Sequence, residues 1–71
     1  MTADAATYPT RPPVQLTGED GNVFNIIGRC RRAAVTDGWT RTDIDRWMSA
    51  VTACDSYDAV LALVADTFEV A

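Results

Sequence analysis

The chain has 71 residues, of which 48% are hydrophobic and 23% are charged, and its net charge at pH 7 is −4. This length allows one domain at most, and so small a domain buries only about 60% of the surface of its unfolded chain. The excess of acidic residues weighs against DNA, RNA and anionic membranes as main partners. No stretch approaches the roughly 20 apolar residues of a membrane span, and the N-terminus lacks the pattern of a secretory signal. We therefore expect a cytoplasmic protein with reduced cysteines.

The charges are unevenly distributed along the chain. Residues 1–37 carry four acids and four arginines, whereas residues 38–71 carry six acids and two arginines. All six basic residues are arginine, and alanine, threonine, valine and aspartate are abundant. This composition indicates a GC-rich genome, as found in some bacteria and their phages, and carries no information about function.

The N-terminal segment predicts little structure of its own. Residues 1–13 contain all three prolines among small and polar residues, so we expect a flexible tail in which Tyr8 is the only large apolar side chain. A single small helical domain is expected to follow over residues 14–71. Apolar and polar residues alternate over 14–17 and again over 67–70, which favours two short strands that could pair in either direction.

The first predicted helix covers residues 21–37. Asp20 is a suitable N-cap, and the Asp37-Gly38 pair is a suitable end because glycine adopts the left-handed conformation at low cost. One helical face carries apolar residues and another carries polar residues; the first comprises Val23, Ile27, Cys30 and Ala34, and the second comprises Asn22, Asn25, Arg29 and Arg32. Gly28 costs about 1 kcal/mol relative to alanine in mid-helix, which suggests close approach by the third helix or by a partner.

Two further helices are expected over residues 41–53 and 56–66. Thr40 and Asp43 form a capping box, with Trp39 and Ile44 as a hydrophobic staple. Either Asp55 or Ser56 caps the third helix. The predicted fold is mainly α: a three-helix bundle with a possible short two-stranded β-pair formed by the flanking segments. Its predicted core comprises Phe24, Ile27, Cys30, Trp47, Met48, Val51, Val60, Leu61 and Val64.

Residues 16–29, LTGEDGNVFNIIGR, resemble a motif of small bacterial and mobile-element proteins that reads L-x-G-x-D-G-N-A-F-x-I-L-G-R. Those proteins continue with a capped second helix, a Gly-Asp-Tyr-Asp helix start and a terminal Trp-Val-Glu-Val. The counterparts here are Ile44-Asp45, then Asp55-Ser56-Tyr57-Asp58, then Phe68-Glu69-Val70. The chain departs from the pattern at Cys54-Asp55-Ser56, where a glycine would be expected, and at Phe68, where a tryptophan would be. The resemblance would cover residues 14–71, and it implies no activity because none is established for that family.

The sequence offers no catalytic, cofactor-binding or metal-binding residues. Histidine and lysine are absent, and no serine, threonine or cysteine has a base nearby in sequence, so we do not expect an enzyme or a bound cofactor. Two isolated cysteines do not make a zinc site. In an up-down helix pair Cys30 and Cys54 differ in height by about 9 Å, which exceeds the reach of a disulfide.

The candidate interaction surface comprises Asn22, Asn25, Arg29, Arg32 and Trp39. We expect it to bind another protein, so that the chain is a small acidic protein–protein interaction module; a homodimer is left open. The alternative is nucleic-acid binding through the face formed by Arg29, Arg31 and Arg32. A third interpretation of these arginines is structural, because cations near a helix C-terminus stabilise the helix dipole.

Overall fold

The computed structural model describes residues 8–16 and 21–71. Three helices lie between two short strands, which pair in parallel with Pro13 opposite Glu69 and Val14 opposite Val70. The elements in chain order are β1 (Pro13–Val14), α1 (Val23–Thr36), α2 (Arg41–Thr52), α3 (Tyr57–Thr67) and β2 (Glu69–Val70). The predicted mainly α fold with three helices and a small β-pair is confirmed.

Local hydrogen bonds set both ends of α1. The side chain of Asn22 accepts from the Phe24 N–H at 2.8 Å and caps the helix. Asp20, the predicted cap, lies outside the described residues, and the helix begins two residues later than predicted. At the other end, Gly38 has φ +89°, so the left-handed glycine terminates α1 as the sequence indicated.

The starts of α2 and α3 also depend on nearby side chains. The Asp43 N–H donates to the Thr40 hydroxyl at 3.1 Å, and the Thr40 N–H donates to the Asp43 carboxylate at 3.2 Å. This reciprocal pair is the capping box that the sequence predicted. The α3 cap is Ser56, whose hydroxyl accepts from the Ala59 N–H at 3.1 Å.

The core is centred on three aromatic rings. Phe68 is 0% exposed; its ring stacks on Trp39 at 5.5 Å between centroids and meets Trp47 edge-on at 5.2 Å. Around them lie the buried hydrophobic residues of all three helices and of β1: Val14, Ile26, Cys30, Ala34, Ile44, Val51, Val60 and Val64. The rings therefore join the C-terminal end of α3, the helix α2 and the turn before α2 into one core.

The predicted core requires one clear correction, at Phe24. Ile27, Met48 and Leu61 are partly buried against the core, whereas Phe24 is 79% exposed. The helix α1 directs Ile26, Cys30 and Ala34 inward, and at 100° per residue Phe24 lies about 120° round the helix from Cys30. The prediction that Phe24 is a core residue is therefore wrong.

Residues 8–13 pack against the domain, although the sequence placed them in a flexible tail. The Tyr8 ring stacks on Trp39 at 4.6 Å with an interplanar angle of 5°, and the Arg46 guanidinium lies over the Tyr8 ring at 4.9 Å. Thr10 accepts from the Trp39 indole N–H at 3.0 Å and donates to the Asp37 carboxylate. The structure therefore places residues 8–13 against the domain, whereas residues 1–7 of the predicted tail lie outside the described residues.

The same segment also reaches the end of α3. Arg11 donates to the Ala65 carbonyl at 2.8 Å and to the Asp66 carbonyl at 3.1 Å. These carbonyls belong to the last turn of α3, where acceptors lack helical partners and a cation is favoured by the helix dipole. Pro12 is among the most completely buried side chains. Residues 8–14 therefore form a strap from the α1–α2 turn to β2.

Candidate interaction surface

The side of α1 that faces away from the core combines apolar and basic residues. At about 3.6 residues per turn, Phe24, Gly28, Arg32 and Val35 fall within about 80° of one another. This group, which we name the outer stripe, is centred on Gly28, about 160° round the helix from buried Cys30. Phe24 is 79% exposed and Val35 is 51% exposed. The outer stripe thus has a large apolar residue at each end.

Gly28 is one of the residues that line a depression in this surface. A Cβ atom built on Gly28 would meet no atom of residues 8–16 or 21–71 within 4 Å, so α3 does not approach it as closely as the sequence suggested. The depression has a volume of about 280 Å³ and is lined by Phe24, Asn25, Gly28, Arg29 and Arg32. Within the described residues, packing gives no reason for a glycine at this position.

The arginines around the depression differ in their surroundings. Arg31 and Arg32 are exposed, and neither makes a hydrogen bond or an ion pair with the described part of the chain, whereas Arg29 is half-buried and has an interaction within the fold. The last turn of α1 contains no basic residue, and dipole effects fall off beyond that turn. The helix dipole therefore does not account for Arg31 and Arg32, in contrast to the structural interpretation of the sequence.

A second groove continues the surface towards the sheet. It has a volume of about 310 Å³ and lies between β1 and the C-terminal half of α1; its lining residues are Pro13, Val14, Gln15, Arg29, Arg32, Ala33, Thr36 and Asp37. Arg32 borders both this groove and the depression at Gly28. The basic side chain is therefore accessible from two neighbouring concave surfaces.

The structure brings together three of the five predicted surface residues. Asn25, Arg29 and Arg32 line the depression. Asn22 is the N-cap and lies at the N-terminal end of α1. Trp39 is only 6% exposed because the Tyr8 and Phe68 rings stack against it, so the structure places this candidate residue in the core and not on the surface.

Sequence reasoning missed the two exposed apolar residues of the outer stripe. Residues 23–27 read VFNII, so four of five consecutive positions are apolar and one helical face cannot bury them all. This crowding is the signal that an apolar residue of the first turn must be exposed. It does not reveal which one.

Gly28→Ala is expected to stabilise the protein by about 1 kcal/mol, because alanine is the better helix former and its methyl group would clash with none of the described residues. The melting temperature should rise by about 4–8 °C in a domain of this size. The matched control is Gly38→Ala, which places a side chain at φ +89° and should lower the melting temperature. Circular dichroism melts measure both variants, and a destabilised Gly28→Ala protein would contradict the open surface at Gly28.

The two cysteines are free and occupy different environments. Cys30 is 0% exposed, and burial raises the pKa of its thiol from 9.0 to about 12. Cys54 is half-buried at the end of α2, where its thiol contacts the Ala50 carbonyl at 3.6 Å. Because the thiolate is the nucleophile, Cys30 should be chemically inert in the folded protein.

Iodoacetamide at about pH 8 is therefore expected to alkylate Cys54 long before Cys30. Site-resolved mass spectrometry measures the two rates, and urea should abolish the difference between them. The raised folded-state pKa contributes stability that is present below about pH 9 and is lost as pH rises towards about 12. Equal alkylation rates in the folded protein would contradict the burial of Cys30.

No helix within residues 8–16 and 21–71 has the length and apolar character needed to cross a membrane. The same residues contain no group of three or more histidine, cysteine, aspartate or glutamate side chains placed to hold a metal ion. Comparison with protein-family models found no match, and comparisons with curated proteins and with solved structures also found none.

Proposed function

We propose that the protein is a small protein–protein interaction module that binds its partner through the outer stripe of α1. The observation that supports this most directly is the 79% exposure of Phe24. A single exposed apolar residue is common in folded proteins, but Phe24 adjoins a concave surface lined by arginines. Aromatic residues and arginine are the types enriched at protein interfaces and among their energetically dominant residues.

Nucleic-acid binding through Arg29, Arg31 and Arg32 is the alternative. Exposed Arg31 and Arg32 favour it, since both lack partners in the described part of the chain. Two observations weigh against it: the net charge is −4, and Phe24 and Val35 present apolar surface that a phosphate backbone cannot match. Binding to DNA or RNA draws mainly on neutralised phosphates, so three arginines would supply little affinity at physiological salt.

Affinity capture with Phe24→Glu tests the proposal. The immobilised protein is incubated with lysate of a GC-rich bacterium, and Ala62→Glu, at an exposed position of α3, serves as the matched control because it adds the same charge elsewhere. We expect specific proteins to bind the original chain and Ala62→Glu, and their recovery to fall about tenfold or more with Phe24→Glu. Circular dichroism should give both variants the same helical content.

Two results would contradict the proposal. One is equal recovery of bound proteins with Phe24→Glu and Ala62→Glu, which would place binding away from the outer stripe. The other is loss of all recovered proteins after nuclease treatment of the lysate, together with recovery of nucleic acid that depends on Arg31 and Arg32. The second result would favour the nucleic-acid alternative.

A further inference from the structure

We infer that the partner segment bound by the outer stripe is an acidic amphipathic helix that crosses α1 at Gly28. This inference rests on the proposed function and adds the chemical class and the geometry of the partner. Three features carry it: the missing side chain at Gly28, the apolar residues on either side of it, and the exposed arginines beside it.

The shape of the surface favours a helix as the bound element. Phe24, Gly28 and Arg32 lie four residues apart and form one row along α1, and such rows are the ridges that pack into grooves of another helix. Because Gly28 lacks a side chain, this ridge has a gap that can receive a large apolar side chain of the partner against Phe24. From Phe24 to Val35 the stripe extends about 16 Å, which corresponds to about three turns of a partner helix.

The charges favour an acidic partner. Arg31 and Arg32 are exposed on either side of the line through Gly28 and Val35, and neither has an acidic partner in the described chain. Ion pairs within α2, by contrast, join Arg41 to Asp45 at 3.9 Å and Arg46 to Asp43 at 3.4 Å. Carboxylates one turn before and after the apolar residue of the partner would lie beside Arg31 and Arg32.

The same charges disfavour a second copy of this chain across a twofold axis at Gly28. In a parallel α1–α1 contact of that kind, Arg31 and Arg32 of one copy would lie beside Arg31 and Arg32 of the other, so two arginines would face two arginines. Like charges opposed in an interface cost affinity. The face therefore fits a different, negatively charged helix better than it fits itself.

A display library tests this inference because selection from random helices needs no candidate partner. The library presents an alanine-rich helix of about four turns, with one face randomised over all amino acids, and is selected against the intact 71-residue protein. We expect enrichment of one large apolar residue flanked by aspartate or glutamate one turn away on each side. An enriched peptide is then synthesised with a fluorophore, and its dissociation constant is measured by anisotropy at about 150 mM salt.

The protein variants test two of these features separately, the gap at Gly28 and the exposed arginines. Gly28→Leu, which fills the gap, and the double variant Arg31→Glu/Arg32→Glu should each weaken binding at least about tenfold. A second peptide, in which lysine replaces the acidic residues of the selected peptide, should bind the double variant and restore the lost affinity. Arg41→Glu at an exposed position of α2 is a single charge-reversal control away from the outer stripe and should bind as the original chain does. Thermal melts verify that Gly28→Leu is folded.

Selection of no binder, or of basic or uncharged peptides, would overturn the inference. Peptide binding that survives both Gly28→Leu and the double variant would also overturn the inference. So would self-association of the chain, measured by sedimentation velocity, if Gly28→Leu abolishes it. If lysate proteins still depend on Phe24 while the acidic helix fails, the proposed function stands and this inference falls. If neither the lysate proteins nor the peptides depend on the outer stripe, both proposals fall.

Discussion

Phe68→Ala is expected to destabilise the protein by about 3–5 kcal/mol, since the substitution leaves a large cavity in the core. Phe68 is 0% exposed, and its ring contacts both Trp39 and Trp47. A chain of this length has a total stability of roughly 4–10 kcal/mol. The variant should therefore be largely unfolded or should melt at a much lower temperature, as measured by circular dichroism during heating and urea titration.

Val70→Ala is the matched control for Phe68→Ala because it removes apolar atoms two residues away, at an exposed position of β2. Val70 is 43% exposed, and substitutions at such sites usually change stability by about 0.5 kcal/mol or less. Similar losses of stability in the two variants would mean that the sheet, and not the aromatic core, limits the stability of the protein. A Phe68→Ala protein with unchanged melting temperature would contradict the central position of this ring.

Tyr8→Ala is expected to cost about 2 kcal/mol and to shift the fluorescence of Trp39 to longer wavelength. The ring pair with Trp39 contributes about 0.5–1.5 kcal/mol beyond buried area, and the contact with Arg46 about 0.5–1 kcal/mol. Loss of the Tyr8 ring also exposes the indole of Trp39 to water. Thermal unfolding and tryptophan emission spectra measure the two effects independently.

Tyr8→Phe keeps the aromatic ring and should leave both measurements close to those of the original chain. Burial raises the pKa of Tyr8 above its ordinary value, and Asp43 adds to this effect while Arg46 opposes it. The Tyr8 hydroxyl is therefore protonated at neutral pH, so Tyr8→Phe removes no charge. If Tyr8→Ala also has no effect, residues 8–13 behave as the tail that the sequence suggested and the strap does not contribute to stability.

Gly28 connects the stability of the fold with the proposed interaction. Alanine at this position is expected to stabilise α1, yet the chain has glycine there. A residue that lowers stability without serving the packing of its own domain is expected where function needs the space. The Gly28→Ala melt and the Gly28→Leu binding measurement together separate these roles: the first concerns α1 alone, and the second concerns the proposed partner.

The sequence alone determined the features that depend on residues close together in the chain. The Thr40–Asp43 capping box and the left-handed Gly38 were both predicted, because each depends on neighbours within about four residues. The helix boundaries followed to within about two residues for the same reason. The basic residues of the candidate surface were also recognisable, since Arg29 and Arg32 lie close together on one helix.

Only the tertiary structure decided which apolar side chains are buried. Whether Ile26 or Phe24 enters the core depends on how α1 rotates against the other helices, and the crowded VFNII run allowed several rotations. Trp39 is buried by Tyr8 and Phe68, which lie 31 residues before it and 29 residues after it. Burial is a property of contacts between distant parts of the chain, so local patterns constrain it only weakly, and the exposed Phe24 of the candidate surface appears only once those contacts are known.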